Sequence, residues 1–250
     1  METPEYDLMD AAEESMWWYR ALHRRLLDAL EGVQGSVLDA GCGTGGFLAR
    51  LKRDRADLTA VGVDAFAPAA KRAAAKSGCH TRCASLEALP FENNTFDAVV
   101  SADVLCHRSL DPERALAEIA RVLRPGGRLI LNLPAHEWLR SRHDARVHTA
   151  RRSSARDLRR LLARCGYTQV RAAHWNALLL PLMVVERKVL ASGPEGRSDV
   201  MPFHPWVDSL FFGVTEIERR LPRWFPAGGS VMATARLPQP LRRPSCGDNR

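Results

Sequence analysis

The sequence lacks a long apolar run, a CxxC pair and a lysine-rich tail. The longest apolar run, residues 177–185, is interrupted by Pro181 and falls short of the about 20 residues that a transmembrane helix needs. The N-terminus is acidic, the wrong sign for a signal peptide, so we expect a cytoplasmic chain without stable membrane insertion. Aromatic residues do not interleave with a basic stripe, so the net charge of +7 does not indicate nucleic-acid binding.

Six cysteines are present, but their spacing forms no disulfide framework. Cys79-His80-x-x-Cys83 looks like half of a metal site, yet no second ligand pair follows at a matching spacing, so we expect no bound metal. Reduced thiols are typical of the cytosol and support the cytoplasmic location.

Strand-like and helix-like segments alternate along most of the chain. Apolar residues recur every four positions from Trp18 to Leu30 and predict a helix over residues 16–30. This alternation predicts a doubly wound α/β fold with a mostly parallel sheet. Strands are predicted at 36–40, 58–64, 96–104, 128–133, 167–176 and 230–237, and further helices at 45–53, 68–77, 112–123 and 154–165.

Five regions follow from this pattern. Residues 1–35 form an N-terminal helical lid, and residues 36–176 form a cofactor-binding, Rossmann-like core. Residues 177–229 are an apolar helical insertion that precedes the last strand, residues 230–237. Residues 238–250 contain three prolines, and we expect a disordered tail there.

A glycine-rich loop follows the first predicted strand. Gly41, Gly43 and Gly46 satisfy the GxGxxG pattern of dinucleotide-binding folds, so the loop alone also fits a nicotinamide enzyme. Asp39 precedes the glycines by two residues, where a carboxylate would repel a pyrophosphate but would suit a cofactor with a cationic sulfonium. Asp64 ends the next strand and could accept ribose hydroxyl protons from either cofactor. Asp39 is therefore the residue that distinguishes a sulfonium cofactor from a nicotinamide cofactor.

Four ordered segments between residues 36 and 134 resemble class I S-adenosylmethionine-dependent methyltransferases of the type 11 group. These segments are VLDAGCGTG, VGVD, LEALPFENNTFDAVVSADVL and EIARVLRPGGRLIL. The resemblance implies a seven-stranded sheet and S-adenosyl-L-methionine as cofactor.

The resemblance also implies a role for each matching residue. Asp64 would bind the ribose hydroxyls, and Ala65, Ser85 and Leu86 would lie near the adenine. Many relatives have an acid where this chain has Ser85, which leaves the adenine contact open. The residues expected near the methionine part are Asp39, Gly41, Cys42, Gly43, Gly45 and Ser101.

Candidate residues for the acceptor side follow the fourth and fifth strands, where a doubly wound fold has its crevice. Histidines beside acids are reasonable general bases, and paired arginines suit an acidic group on the substrate. An early Trp-Trp-Tyr-Arg segment and a later His-Asp…His…Arg-Arg segment also resemble a subgroup of these methyltransferases. All of these residues could instead be structural. The candidate bases are His107, His143 and His148, and the candidate substrate contacts are Trp18, Tyr19, His136, Arg151 and Arg152.

The sequence thus favours methyl transfer to O, N or C of a small, natural-product-like acceptor. A nicotinamide-dependent oxidoreductase and a non-catalytic binding protein with the same fold remain alternatives. An RNA or protein methyltransferase also stays open, although no Asn-Pro-Pro-Tyr-like tetrapeptide follows the fourth strand. We expect the apolar insertion to roof a substrate pocket or to form a homodimer contact rather than to touch a membrane surface.

Overall fold

The computed structural model describes residues 3–185, 203–221 and 225–239, without the side chains of residues 3, 4, 142 and 143. Seven strands form one sheet in the order β3-β2-β1-β4-β5-β7-β6, with β7 antiparallel to both of its neighbours. This confirms the doubly wound, mostly parallel fold. The strands are β1 (Gly35–Ala40), β2 (Leu58–Asp64), β3 (His80–Cys83), β4 (Phe96–Ala102), β5 (Leu123–Pro134), β6 (Thr168–Trp175) and β7 (Ser230–Arg236).

Helices cover both faces of the sheet. Alternate residues of a strand point to opposite faces, and β1 illustrates the result. Val37 packs in a cluster with residues of α2 (Trp17–Ala29) and α3 (Gly46–Asp54), whereas Leu38 packs in a cluster with residues of α5 (Pro112–Val122) and α7 (Ala155–Arg164). The helices are α1 (Thr3–Ala12), α2 (Trp17–Ala29), α3 (Gly46–Asp54), α4 (Ala67–Ser77), α5 (Pro112–Val122), α6 (Arg142–Arg146), α7 (Ala155–Arg164), α8 (Leu180–Val185) and α9 (Pro205–Arg220).

Capping residues mark where several of the helices begin and end. The Asp111 side chain accepts the backbone N–H of Glu113 at the start of α5, and Ser154 and Asp157 form a capping box on α7. Gly78 adopts a left-handed conformation at the end of α4, with φ of 61°. As a result, the loops that follow the carboxyl ends of β1, β2, β4 and β5 all lie at one edge of the sheet.

Three of the elements named above were not predicted: β3, α1 and α6, a helix of five residues in the stretch after β5. β3 is a short edge strand whose residues are polar and mostly exposed, so it carries no apolar alternation that could reveal it. α1 was assigned only to a general lid, because its acidic residues gave no helical periodicity. β4 ends at Ala102 rather than at residue 104, because Asp103 takes a left-handed φ of 57°.

Part of the apolar insertion is described: α8 follows β6, and α9 packs along α2. The predictions for residues 186–202 and 222–224, and for the tail from residue 240 onward, lie outside the described residues. Among the described helices, none combines the length and the apolar character that crossing a bilayer requires.

Candidate functional site

The glycine loop lies at the carboxyl edge of the sheet, between β1 and α3. Gly41, Gly43 and Gly45 have positive φ angles of 90°, 53° and 94°. A Cβ on Gly41 would lie 2.2 Å from Val104 Cγ2, and one on Gly45 would lie 2.6 Å from Ala73 Cα. The turn therefore requires glycine for both conformation and space, and it brings backbone N–H groups to the start of α3.

Asp39 is a buried carboxyl directly beneath this loop. Burial, together with the nearby carboxyls of Asp64 and Glu13, raises its pKa from 3.8 to about 8. No group in the described part of the chain donates a hydrogen bond to its side chain. A cation placed here would stabilise the ionised form, whereas an anion would be repelled.

Asp64 ends β2 and joins the loop to the next turn. Its carboxylate accepts the backbone N–H of Gly43 at 2.9 Å and that of Phe66 at 2.8 Å, and the Tyr6 hydroxyl also hydrogen-bonds to it. Burial nevertheless raises its pKa. Asp64 is thus held in a fixed orientation at the position where the resemblance expects ribose hydroxyls.

The first helix covers the loop. The Tyr6 ring lies 4.7 Å from the Phe66 ring, and a Cβ on Gly43 would lie 2.8 Å from Met9 Cε. Glu13, just after α1, accepts the Thr44 hydroxyl at 2.8 Å and pairs with Lys76. The sequence did not single out these contacts. The acidic N-terminus was the only feature of the sequence that pointed to this region.

Asp103 is a third carboxyl at this edge, partly buried and one residue beyond β4. The Asn132 side-chain amide donates to both of its oxygens at 3.1–3.2 Å, and Trp175 Nε1 donates to Asn132 Oδ1 at 2.8 Å. Burial raises the pKa of Asp103 to about 7, although Asn132 and the nearby Arg152 oppose this shift. Strands β4, β5 and β6 are therefore tied to one carboxyl.

The remaining predicted cofactor residues fall into two groups. Ala65 and Ser85 are exposed near the end of β2 and after β3, where they remain candidates for the adenine side. Leu86 and Cys42 are buried, Leu86 in the core cluster beneath α5. The Ser101 hydroxyl donates to the Ala40 carbonyl at 2.7 Å, which ties β4 to β1.

Two of the predicted histidines lie together. Arg108 N donates to His148 O at 3.0 Å, and His107 forms an isolated bridge with Thr149. Burial and, to a smaller extent, the neighbouring charge of His148 lower the pKa of His107 to about 4. His107 is therefore neutral at neutral pH. The side chain of His143, the third candidate, is outside the described part of the structure.

The two predicted arginines differ in environment. Arg152 is buried and makes a two-pronged pair with Asp144 at 2.9–3.1 Å, and its third contact is the Ala135 carbonyl. These contacts stabilise the segment after β5 and favour a structural role. Arg151 is only partly buried, with one bond to the Leu110 carbonyl at 3.2 Å. Its remaining N–H groups leave a substrate role open.

The two aromatic candidates, Tyr19 and Trp18, also differ in their surroundings. Tyr19 is largely enclosed, and this burial raises the pKa of its hydroxyl. The nearby carboxyls of Glu13, Asp103 and Glu5 raise that pKa further. Trp18 stacks on Trp175 at 6.1 Å. Tyr19 thus borders the carboxyl cluster, whereas Trp18 packs behind it.

His136 faces another part of the molecule. Its ring lies 4.6 Å from His174 on β6 and 5.6 Å from Trp138, and burial lowers its pKa. It borders a groove of about 400 Å³ near the start of α7. A second groove, of about 830 Å³, runs along β6 and β7 between α2 and α9. Neither groove is lined by the glycine loop, so neither is the candidate site.

The donor set at the carboxyl edge fits a cationic ligand. Carboxyls of Asp39, Asp64 and Asp103 with raised pKa values surround a turn whose glycines leave room for close approach. S-adenosylmethionine carries a sulfonium and an ammonium group and no phosphate, so these residues fit it. The described residues contain no cluster of His, Cys, Asp or Glu that could hold a metal ion.

Comparison with known proteins agrees with this geometry. Residues 38–131 match a family described as "Methyltransferase domain". A demethylmenaquinone methyltransferase from Thermus thermophilus is 37% identical over 51% of this chain and 60% of that protein. A probable tRNA methyltransferase 9B from Homo sapiens is 36% identical over 45% of this chain and 24% of that protein. The chain thus spans less than two thirds of the length of these relatives.

Solved structures share the fold. The geranyl diphosphate C-methyltransferase from Streptomyces coelicolor A3(2), solved with S-adenosyl-L-homocysteine, has a TM-score of 0.59 at 18% identity. The match covers 87% of this chain and 76% of that chain. Residues 38–131 therefore resemble a methyltransferase domain, and the chain shares its fold with a solved S-adenosylmethionine-dependent methyltransferase.

Proposed function

We propose that the protein transfers a methyl group from S-adenosylmethionine to an O, N or C atom of a small-molecule acceptor. The observation that carries this proposal is the cluster of buried carboxyls at the glycine loop. Burial and repulsion from Asp64 and Glu13 raise the pKa of Asp39, and burial raises the pKa values of Asp64 and Asp103. A cationic ligand offsets this repulsion, whereas the pyrophosphate of a nicotinamide cofactor would increase it.

The chain's own residues have distinct tasks in such a reaction. Asp64 would accept the ribose hydroxyls, and the loop turn would hold the amino-acid end beside Asp39. The cofactor supplies a methyl group already activated on its sulfonium, so the protein contributes mainly alignment and exclusion of water. The side chains of Tyr6, Met9 and Tyr19 would exclude water from this edge of the sheet.

Proton removal from the acceptor, where the acceptor requires it, would fall to His107. Its ring is neutral at neutral pH, and it hydrogen-bonds to the Asp103 backbone carbonyl, which fixes its orientation. His148 lies beside it and is the second candidate. Because a low pKa makes a weak base, we expect His107 to act as an oriented hydrogen-bond acceptor more than as a strong base.

A small acceptor is favoured over a nucleic acid by how the site is enclosed. α1, the start of α2 and the segment at residues 142–149 surround it; the Glu5–Arg146 pair at 3.7 Å joins α1 to α6. The names of the relatives point in both directions, because one acts on demethylmenaquinone and another is a probable tRNA methyltransferase. An enclosed site suits a small molecule that enters between these elements.

Isothermal titration calorimetry with S-adenosylmethionine and with NADH tests the cofactor. We expect binding of S-adenosylmethionine with release of protons at pH 7, seen as a dependence of the heat on the buffer's ionisation enthalpy, because the cation promotes ionisation of Asp39. NADH should give no heat. Binding of NADH, or no binding of S-adenosylmethionine by the folded chain, would reject the proposal.

Turnover is tested by following S-adenosylhomocysteine release with a panel of quinones, isoprenoids, amines, phenols and total tRNA. We expect a small molecule to be methylated. His107→Leu, which removes the acceptor nitrogen, should lower kcat at least tenfold, while His80→Leu, a change at an exposed histidine of β3, should not. Methylation of tRNA alone would contradict the acceptor class, and cofactor binding without turnover of any acceptor would favour a non-catalytic role.

A further inference from the structure

Large apolar side chains are exposed mainly on the described part of the apolar insertion. Ten large apolar residues are exposed among the described residues, and eight of them lie on or next to α8 and α9. Trp206 is 64% exposed and Ile217 is 59% exposed. The eight residues are Leu178, Leu182, Val185, Phe203, Trp206, Leu210, Ile217 and Leu221. Because these side chains point outward, they do not roof a pocket.

The exposed residues of α9 form one stripe. Trp206, Leu210 and Ile217 are separated by four and seven residues, which places them on one side of a helix. With a rise of 1.5 Å per residue, the stripe from residue 206 to residue 221 is about 22 Å long. Contiguous exposed apolar surface of this kind marks an interaction site rather than ordinary scatter.

The charges of α9 are arranged asymmetrically around this stripe. All three of its acids turn toward α2: Asp208 pairs with Arg20, Glu216 with Arg24, and Glu218 with Arg25. The exposed side retains Arg220 and no carboxylate. α9 therefore presents an apolar stripe whose exposed charge, Arg220, is positive, so an anionic bilayer would meet no repelling carboxylate on this face.

The second exposed group lies at the same edge of the sheet as the candidate site. α8 begins five residues after β6, and Leu179 packs with Met16, Trp17 and Phe211. Leu178, Leu182 and Val185 face away from this cluster and are each more than 40% exposed. Residues 177–185 contain no charged residue. The apolar surface thus continues from α9 to the neighbourhood of the site.

We propose that α8 and α9 dock the protein on the surface of an anionic lipid bilayer. Leu210, Ile217 and the neighbouring residues enter the acyl boundary, and Trp206 sits at the headgroup level, where an amphipathic ring is favoured. The docked chain stays peripheral. The carboxyl edge of the sheet then lies near the bilayer, from which an apolar acceptor could reach the site without crossing water.

Vesicle co-sedimentation of the full chain tests the proposal. The probes are vesicles of equal parts phosphatidylcholine and phosphatidylglycerol, and vesicles of phosphatidylcholine alone. We expect the protein to bind the anionic vesicles at least tenfold more tightly, with weaker binding at high salt. The combined variant Trp206→Ser, Leu210→Ser and Ile217→Ser should lose at least tenfold in binding.

A matched control keeps the test independent of folding and of the proposed reaction. Trp138→Ser changes an exposed tryptophan outside this surface, 49% exposed, and should bind vesicles as the unaltered chain does. The triple variant should keep the circular dichroism spectrum and the affinity for S-adenosylmethionine. Because vesicle binding is measured without turnover, a failed proposed function would not affect it.

Three results would overturn the proposal. The first is no binding to anionic vesicles, and the second is equal binding by the triple variant and the unaltered chain. The third is a dimer in sedimentation analysis that the triple variant converts to monomer, because the surface would then be covered by a second copy.

Discussion

Replacing Asp39 by asparagine should stabilise the ligand-free protein, and more so as the pH rises. The Asp39 carboxyl is 3% exposed and lies near the carboxyls of Asp64 and Glu13. Its folded-state pKa of about 8 is far above its ordinary value of 3.8. The folded state therefore resists ionisation that the unfolded state accepts freely, and the unaltered chain loses stability between these two values. Asparagine has nearly the same shape and no ionisation.

The magnitude follows from the shift. About four pKa units correspond to about 6 kcal/mol, since one unit is 1.36 kcal/mol. Because neighbouring carboxyls share protons and relieve part of this penalty, we expect Asp39→Asn to gain about 3–6 kcal/mol at pH 8. For a chain of this size that gain raises Tm by roughly 10 °C or more. Below pH 4 both proteins carry a neutral group, and the gain should approach zero.

Thermal unfolding from pH 4 to pH 8.5, followed by circular dichroism, measures this difference. The matched control is Asp97→Asn on the neighbouring strand β4. Partial burial raises the pKa of Asp97, but hydrogen bonds from Ser36 and the ion pair with Arg124 outweigh that effect and lower it. Its ionised form is therefore stabilising above its unfolded pKa, so Asp97→Asn should destabilise at pH 8. Curves that shift in the same direction for both variants would refute the reasoning.

The same substitution should weaken cofactor binding. If Asp39 faces a cationic ligand, Asp39→Asn should lose at least tenfold in affinity for S-adenosylmethionine and should abolish the proton release at pH 7. An unchanged affinity and unchanged proton release would show that Asp39 is buried for structural reasons alone. A chain that becomes more stable while losing its ligand is the pattern expected when a site stores electrostatic strain.

Three further outcomes are expected. Gly45→Ala should destabilise by about 2–4 kcal/mol and lose cofactor affinity, because its Cβ would overlap Ala73 at a φ of 94°; denaturant unfolding and calorimetry measure both effects. Asp144→Asn should cost about 3–5 kcal/mol in denaturant unfolding, because the buried Arg152 guanidinium loses the carboxylate with which it pairs directly. Asn132→Ala should cost about 2 kcal/mol and raise the pKa of Asp103, measured by carbon-detected NMR titration, because it removes the amide that favours the ionised carboxyl.

The parallel core could be predicted from the sequence because its signals are local. Strands β1, β2 and β5 are short apolar runs, and their helices begin at caps such as Asp111 and end at glycines such as Gly78. These patterns depend on neighbours within a few residues. The glycine loop was predicted for the same reason, since positive φ angles at Gly41 and Gly45 leave a direct trace in composition.

The contacts that complete the site could not be predicted, because they join residues that are distant in the chain. Glu13 reaches Thr44 across 31 residues, and Trp175 reaches Asn132 across 43. No spacing rule links such pairs. The hydrogen bonds between Asp103 and Asn132 likewise depend on the pairing of β4 with β5. The sequence could name candidate acids but not which of them share one pocket.

The arginine pair shows why residue type alone misleads. Arg151 and Arg152 are adjacent and were both predicted to contact substrate. In the structure Arg152 is buried against Asp144, whereas Arg151 keeps most of its donors. Adjacent residues in an extended segment point to opposite sides, so Arg151 and Arg152 could not both face the same surroundings. The sequence does not state which of the two faces inward, because Asp144 lies eight residues away on another element.

The cofactor site and the docking surface on α8 and α9 require opposite charge arrangements near the same edge of the sheet. The cofactor site gathers carboxyls that are costly to ionise until a cation is present, and α1 closes over them. The apolar face on α8 and α9 carries no carboxylate on its exposed side, because each acid of α9 is paired with an arginine of α2. Those pairs keep negative charge away from an anionic bilayer. If Arg20 and Arg24 were changed to glutamine, Asp208 would keep only its bond from the Trp17 backbone N–H and Glu216 only its pair with Arg219. Each carboxylate would then be less neutralised, and vesicle binding and the packing of α9 on α2 should weaken together.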